Sequence, residues 1–151
     1  MRNKKILIIG ITIIVICLLI VLFLIFYSDI FGAIERNRVI KELKNIEEIE
    51  YVLINDNRSE NYFGGEHIEN DPDECKKLVK TIADALESSS FDVVKENSFG
   101  GFGLMVRISY GEDMITLWFY EDRIELENGS YIVACKTKDS SIFDFLLALT
   151  E

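Results

Sequence analysis

Hydrophobic and polar positions alternate with different periods along this chain, and each change of period predicts an element. The first stretch has no period. Ile6 to Tyr27 runs for 22 residues without a charge. As a helix it would measure about 33 Å, longer than the roughly 30 Å hydrocarbon core of a bilayer. Only Gly10, Thr12 and Cys17 interrupt it, and all three are tolerated in membrane helices. The residues that follow, Tyr27-Ser28-Asp29-Ile30-Phe31, lack the small-residue site at which a leader is cut. Ile14-Val15-Ile16 before Cys17 do not form a lipidation site. The pattern therefore predicts an uncleaved signal anchor: a transmembrane helix over 6–27 behind a basic tail, 1–5. Arg2, Lys4 and Lys5 would hold that tail in the cytoplasm, making a single-pass membrane protein with its domain outside.

After the apolar run the pattern turns amphipathic. Ile40, Leu43 and Ile46 form a thin stripe among charges, which predicts a helical stalk over 28–48. Ile49 to Asn55 switches to period two, a strand with Ile49, Tyr51 and Leu53 on one face. Residues 56–70 read as a polar loop containing Tyr62-Phe63-Gly64-Gly65. A second helix is the best-marked element. Asp71 can cap it, Pro72 suits its first position and Glu74 completes a capping box. Cys75, Leu78, Val79, Ile82 and Leu86 make one apolar face, and Ser88-Ser89-Ser90 ends the helix.

Strands follow. Phe91 to Lys95 is short. Phe102, Leu104, Val106, Ile108 and Tyr110 alternate with Gly103, Met105, Arg107 and Ser109, which predicts a half-buried strand with one wet face. Gly111-Glu112-Asp113 turns the chain into a strand over Met114–Tyr120, and Glu121-Asp122 leads to Arg123–Glu127. Asn128-Gly129 is a strong hairpin signal, returning through Tyr131 to Lys136. Ser140 or Ser141 can cap a last helix that packs through Ile142, Phe143, Leu146 and Leu149. The order predicts an α+β fold over 49–151: an antiparallel sheet of about five strands with helices mainly on one face, outside the membrane, behind the transmembrane helix and stalk.

Composition narrows the partners. All 26 acidic residues lie after Ser28, and Arg2, Lys4 and Lys5 are the only basic residues before it among 16. The 124 residues from Ser28 onward thus carry 13 basic side chains and a formal charge of −13. Such a surface is repelled by nucleic acid, and it keeps an exported domain soluble. The abundance of Ile, Asn, Lys and Glu is bacterial in character. Asn57-Arg58-Ser59 and Asn128-Gly129-Ser130 match the glycosylation sequon, which matters only on a eukaryotic secretory route.

No catalytic, cofactor-binding or metal residue can be assigned. His67 is the sole histidine, and its spacing from Glu66 and Glu69 fits no metal template, so it reads as a solvated loop residue. Cys75 near His67 could be a nucleophile at a helix start, but it falls on the apolar stripe and reads as a small buried hydrophobe. A Cys75–Cys135 disulfide stays open. "ENDPDE", Glu69 to Glu74, lacks the order of a calcium loop, and helix capping uses the same residues. "SFGGFG", Ser98 to Gly103, precedes a strand rather than a helix and has no Lys-Ser/Thr, so a turn or bulge explains its glycines. No G-x-S-x-G is present.

With its basic start, apolar run, helix, "ENGSYIVAC" hairpin (Glu127 to Cys135) and closing helix, the chain resembles the small single-span, membrane-anchored extracytoplasmic domains of Gram-positive bacteria whose function is unknown. The resemblance implies a membrane-tethered layout and carries over no functional residue. The expected function is a non-enzymatic binding or accessory module, without cofactor, for a protein or peptide partner at the cell surface. The alternatives are a regulator or immunity-type protein beside another membrane protein and, behind it, an enzyme with an acidic site.

Overall fold

The computed structural model describes the backbone of residues 2–58, 65–96, 103–128 and 131–151, and within these the side chains at 2–10, 24, 25, 28, 29, 91–96, 128 and 131 fall outside the description. Among the described residues, three helices and seven strands follow in the order α1 (Arg2–Asn45), β1 (Tyr51–Asp56), β2 (Glu66–Glu69), α2 (Pro72–Ser88), β3 (Ser90–Glu96), β4 (Leu104–Tyr110), β5 (Asp113–Phe119), β6 (Arg123–Asn128), β7 (Tyr131–Lys136) and α3 (Ser141–Ala148). The strands form one sheet ordered β2-β1-β4-β5-β6-β7-β3, with every neighbouring pair antiparallel. The α+β class and the antiparallel sheet agree with the sequence pattern.

The first helix requires a correction. It does not end where the apolar run ends but continues without a break to Asn45. Among the described residues no helix is long and apolar enough to cross a membrane. The transmembrane signal anchor expected over 6–27 is therefore overturned, and the single-pass placement with an extracytoplasmic domain falls with it. The described apolar side chains there, Ile11 to Phe23 among them, are exposed and lie outside the hydrophobic core.

The carboxy-terminal part of α1 belongs to the packed body. Val39, Ile40 and Leu43 are buried in the same cluster as α2, α3 and the inner sheet face. Polar contacts fix the helix in place. Arg38 bridges Glu35 (2.6 Å) and Glu42 (2.9 Å), Glu42 accepts a hydrogen bond from the Tyr110 hydroxyl on β4, and Arg36 Nη1 donates to the Ser89 carbonyl (2.5 Å).

Register assigns the sheet's two faces. Ile54, Val106, Leu117, Leu126 and Val133 pair in one row across β1, β4, β5, β6 and β7. The adjacent inner row holds Leu104, Phe119, Ile124 and Cys135. These side chains are at most 1% exposed and meet the helices. The inner residues of β1 are Val52 and Ile54, whereas Tyr51 and Leu53 share the other face, in keeping with the alternation of this strand. Both phases of "YVLI" are apolar, so alternation alone could not select the buried one. The polar loop expected over 56–70 contains β2, an edge strand with Ile54↔His67 and Asn55↔Glu66 in register. Residues 59–64, including Tyr62-Phe63-Gly64, lie outside the described residues.

Two glycines are required by the backbone. Gly111 (φ 59°) opens the two-residue β4–β5 hairpin in the positive-φ conformation that such turns demand. A Cβ on Gly65 would lie 1.9 Å from the Thr150 carbonyl oxygen, so the entry to β2 and the chain's end approach too closely for any side chain. The β6–β7 hairpin forms with Asn128↔Tyr131 in register, and the turn residues 129 and 130 lie outside the described residues.

Candidate functional site

The structure places His67, Cys75 and the run Glu69 to Glu74, singled out from sequence, along the edge strand β2 and the start of α2. His67 sits on β2 with Nε2 3.8 Å from Glu69 Oε2. The acidic run at the start of α2 is spent on backbone groups: Glu69 Oε1 accepts from the amides of Asn70 and Asp71 (3.0 Å each), and Asp71 Oδ1 accepts from Asp73 (3.0 Å) and Glu74 (3.1 Å). Glu74 does not reach back to close a capping box but pairs with Lys77 at 2.5 Å. Among the described residues, no group of three or more His, Cys, Asp or Glu side chains is placed to hold a metal ion. Of "SFGGFG", only Gly103 lies within the described residues.

Cys75 and Cys135 are both fully buried free thiols. Cys75 Sγ donates to the Glu69 carbonyl at 3.2 Å. Burial pushes its thiol up, and the carboxylates of Glu69 and Asp71 add to the shift, so the thiolate that chemistry would need is disfavoured despite the nearby helix start. Cys135 is pushed up to about 11, chiefly by burial.

The outer face of the sheet is where the chemistry departs from a plain fold. Alternation puts Leu53, Met105, Arg107, Ser109, Thr116, Trp118, Glu125 and Ala134 on the side away from the helices. The wet face expected for β4 is in fact mostly dry, because Met105 (8%) and Ser109 (9%) are buried and Arg107 is half-buried. Flanking strands on both sides shield β4, which lies inside the sheet rather than at its edge.

Two arginines on this face differ in kind. Arg123 is satisfied: it bridges Glu125 (2.8 Å) and Asp122 (3.0 Å), and its guanidinium carbon lies 4.1 Å from the centre of the Tyr120 ring. Arg107 has no salt bridge among the described residues, and its Nε is buried with no hydrogen-bond partner. In register it stands between Leu53 on β1 and Thr116 on β5, with Met105 and Ser109 beside it along the strand. Trp118, the sole tryptophan, is the partner of Met105 and so sits diagonally from Arg107, within reach of a long side chain. A half-buried guanidinium that finds no carboxylate among the described residues is costly, because its buried Nε has lost water without gaining an acceptor there. In a domain with twice as many acidic as basic residues, a carboxylate for it was chemically at hand.

Sequence reasoning passed over Arg107 and Trp118. Arg107 is visible in the pattern as the lone basic residue at the outer phase of an otherwise apolar strand. Its lack of a partner depends on register between strands distant in sequence, and the pattern does not contain that information.

No protein-family model, curated protein or solved structure matches this chain.

Proposed function

We propose that the protein is a binding module that acts without catalysis and takes a carboxylate-bearing peptide segment of a partner on the outer face of its sheet. The observation that carries this reading is Arg107 beside Trp118, half-buried, with its Nε lacking a hydrogen-bond partner and no salt bridge among the described residues. A guanidinium presents a planar fork of donors that matches a carboxylate in two parallel hydrogen bonds. Leu53 and the Trp118 ring, both half-buried, supply apolar contact for side chains on either side of that carboxylate. The carboxylate is either an Asp or Glu side chain or a free chain terminus, since both offer the same two oxygens.

Trp118 provides the test, because its emission reports on this face alone. Leucine-rich synthetic pentapeptides with a free terminal carboxylate, the same peptides amidated, and amidated versions carrying one internal Glu are titrated against the full chain. The carboxylate-bearing peptides shift Trp118 emission, and the peptides without one do not. Arg107→Gln weakens binding by at least about tenfold, and Arg107→Lys falls between because it keeps the charge and loses the fork. Equal binding of carboxylate and amide forms, or full affinity in Arg107→Gln, refutes the assignment.

A further inference from the structure

On the opposite layer of the molecule, α1 and α2 lie side by side, and two hollows run along the seam between them. The first, about 510 Å³, is lined by Leu43, Ile46, Ile49, Val79 and Ala83, with Lys44, Lys76, Lys80 and Asp84 at its rim. The second, about 400 Å³, is bordered by Arg36, Lys41, Lys44 and Glu87 around Ile40. Lys44 lines both, so the two hollows adjoin along the seam, together the groove between α1 and α2.

The charge of this groove is opposite to that of the domain. Arg36, Lys41, Lys44, Lys76 and Lys80 border it, against Asp84 and Glu87, whereas residues 28–151 together carry 26 acidic and 13 basic side chains. Glu87 is already engaged by Lys44 at 2.8 Å. Lys41, Lys76 and Lys80 have no ion-pair partner among the described residues. Lys76 and Lys80 are one helical turn apart on α2, facing Lys44 across the seam. The floor between them is apolar, and the lysine stems extend that apolar strip toward their charged heads.

We propose that this groove docks an acidic amphipathic helix of a partner protein. An apolar stripe on the incoming helix would lie on Ile46 and Val79. Its carboxylates, spaced by one turn, would meet Lys76 and Lys80 on one side and Lys41 on the other. The third helix would complete a layer that α1 and α2 leave as a furrow. A protein segment is favoured over an anionic bilayer because the rest of the surface is strongly negative and would be repelled by lipid headgroups. The inference is independent of Arg107, which lies on the other side of the sheet.

The test uses the full chain and a fluorescent synthetic helix of about four turns, with leucines at i, i+3, i+4 and i+7 and glutamates on both flanks. A control peptide replaces each glutamate with lysine. The acidic peptide binds and the basic one does not, and binding weakens as salt rises from about 50 to 300 mM. Lys76→Glu with Lys80→Glu lowers affinity by at least about tenfold, and the corresponding Gln pair gives a smaller loss. Both lysines are exposed, so circular dichroism of these variants matches the parent. In an Arg107→Gln background, where the outer-face carboxylate site is removed, the double Glu variant still causes the same loss. The proposal is overturned if the acidic peptide fails to bind, if the double Glu variant binds it equally well, or if the lysines govern only binding to phosphatidylserine vesicles.

Discussion

Cys135 shows how a single buried group ties the fold to pH. It has no exposed surface, and burial holds its thiol at about 11 against a reference of 9.0, while a hydrogen bond with Ser89 and the charge of Arg36 pull modestly the other way. In the unfolded chain the thiol loses its proton near pH 9, and in the folded chain near pH 11. Between these values the folded state binds more protons, so stability is intact below about pH 9 and is lost as pH rises toward 11, by about 2–3 kcal/mol in all. Urea unfolding at steps from pH 7 to 10.5 should show this alkaline decline in the parent and a shallower one in Cys135→Ala. Parallel slopes for the two proteins would mean that the thiol does not titrate as its burial implies. The same burial keeps the Cys135 thiol protonated and shielded at neutral pH.

Elements were legible from sequence where one local rule decided them. At α2, Asp71 caps two amides, Pro72 opens the first turn, and the stripe Cys75, Leu78, Val79, Ile82, Leu86 is buried together with Ala83. Asp71→Ala should therefore cost about 0.5–2 kcal/mol in urea unfolding, with Asp71→Asn or Asp71→Ser recovering most of it. A cost within error for Asp71→Ala would show that Glu69, which also accepts from amides at this end, sustains the helix start alone. Strands were less legible, because their faces depend on partners. β1 carries apolar residues at both phases, and only its pairing with β4, Ile54↔Val106, selects Val52 and Ile54 as the inner ones. β2 is four residues, Glu-His-Ile-Glu, with no hydrophobic period, and it is a strand only because β1 offers it an edge. The outer face of β4 reads as wet by alternation yet is largely covered, since a central strand is shielded from both sides. That misreading is why the sequence pattern left Arg107 among solvated residues rather than in a candidate site.

At the scale of the whole molecule, the boundary of the folded unit follows from where the core begins. The buried cluster takes its first members from α1 at Val39, Ile40 and Leu43, with Phe31 partly packed against it. The helix segment 28–45 is thus a wall of the domain and continues the packing of α2. Removing it would uncover its contacts with α2, β3 and β7, as well as the Tyr110–Glu42 and Arg36–Ser89 bonds. Burial of each large aliphatic side chain is worth about 1.5–3 kcal/mol, so Val39, Ile40 and Leu43 together supply on the order of 5–9 kcal/mol. That is comparable with the entire net stability of an ordinary domain, about 5–15 kcal/mol. Residues 28–151 should therefore fold as an independent unit, with a cooperative urea transition and dispersed amide resonances. Residues 49–151, although they retain every strand, α2 and α3, should lose the cooperative transition and bind hydrophobic dyes. Cooperative unfolding of 49–151 at a midpoint close to that of 28–151 would show that α1 is an appendage, and the groove between α1 and α2 would then have no fixed wall on which to dock a partner.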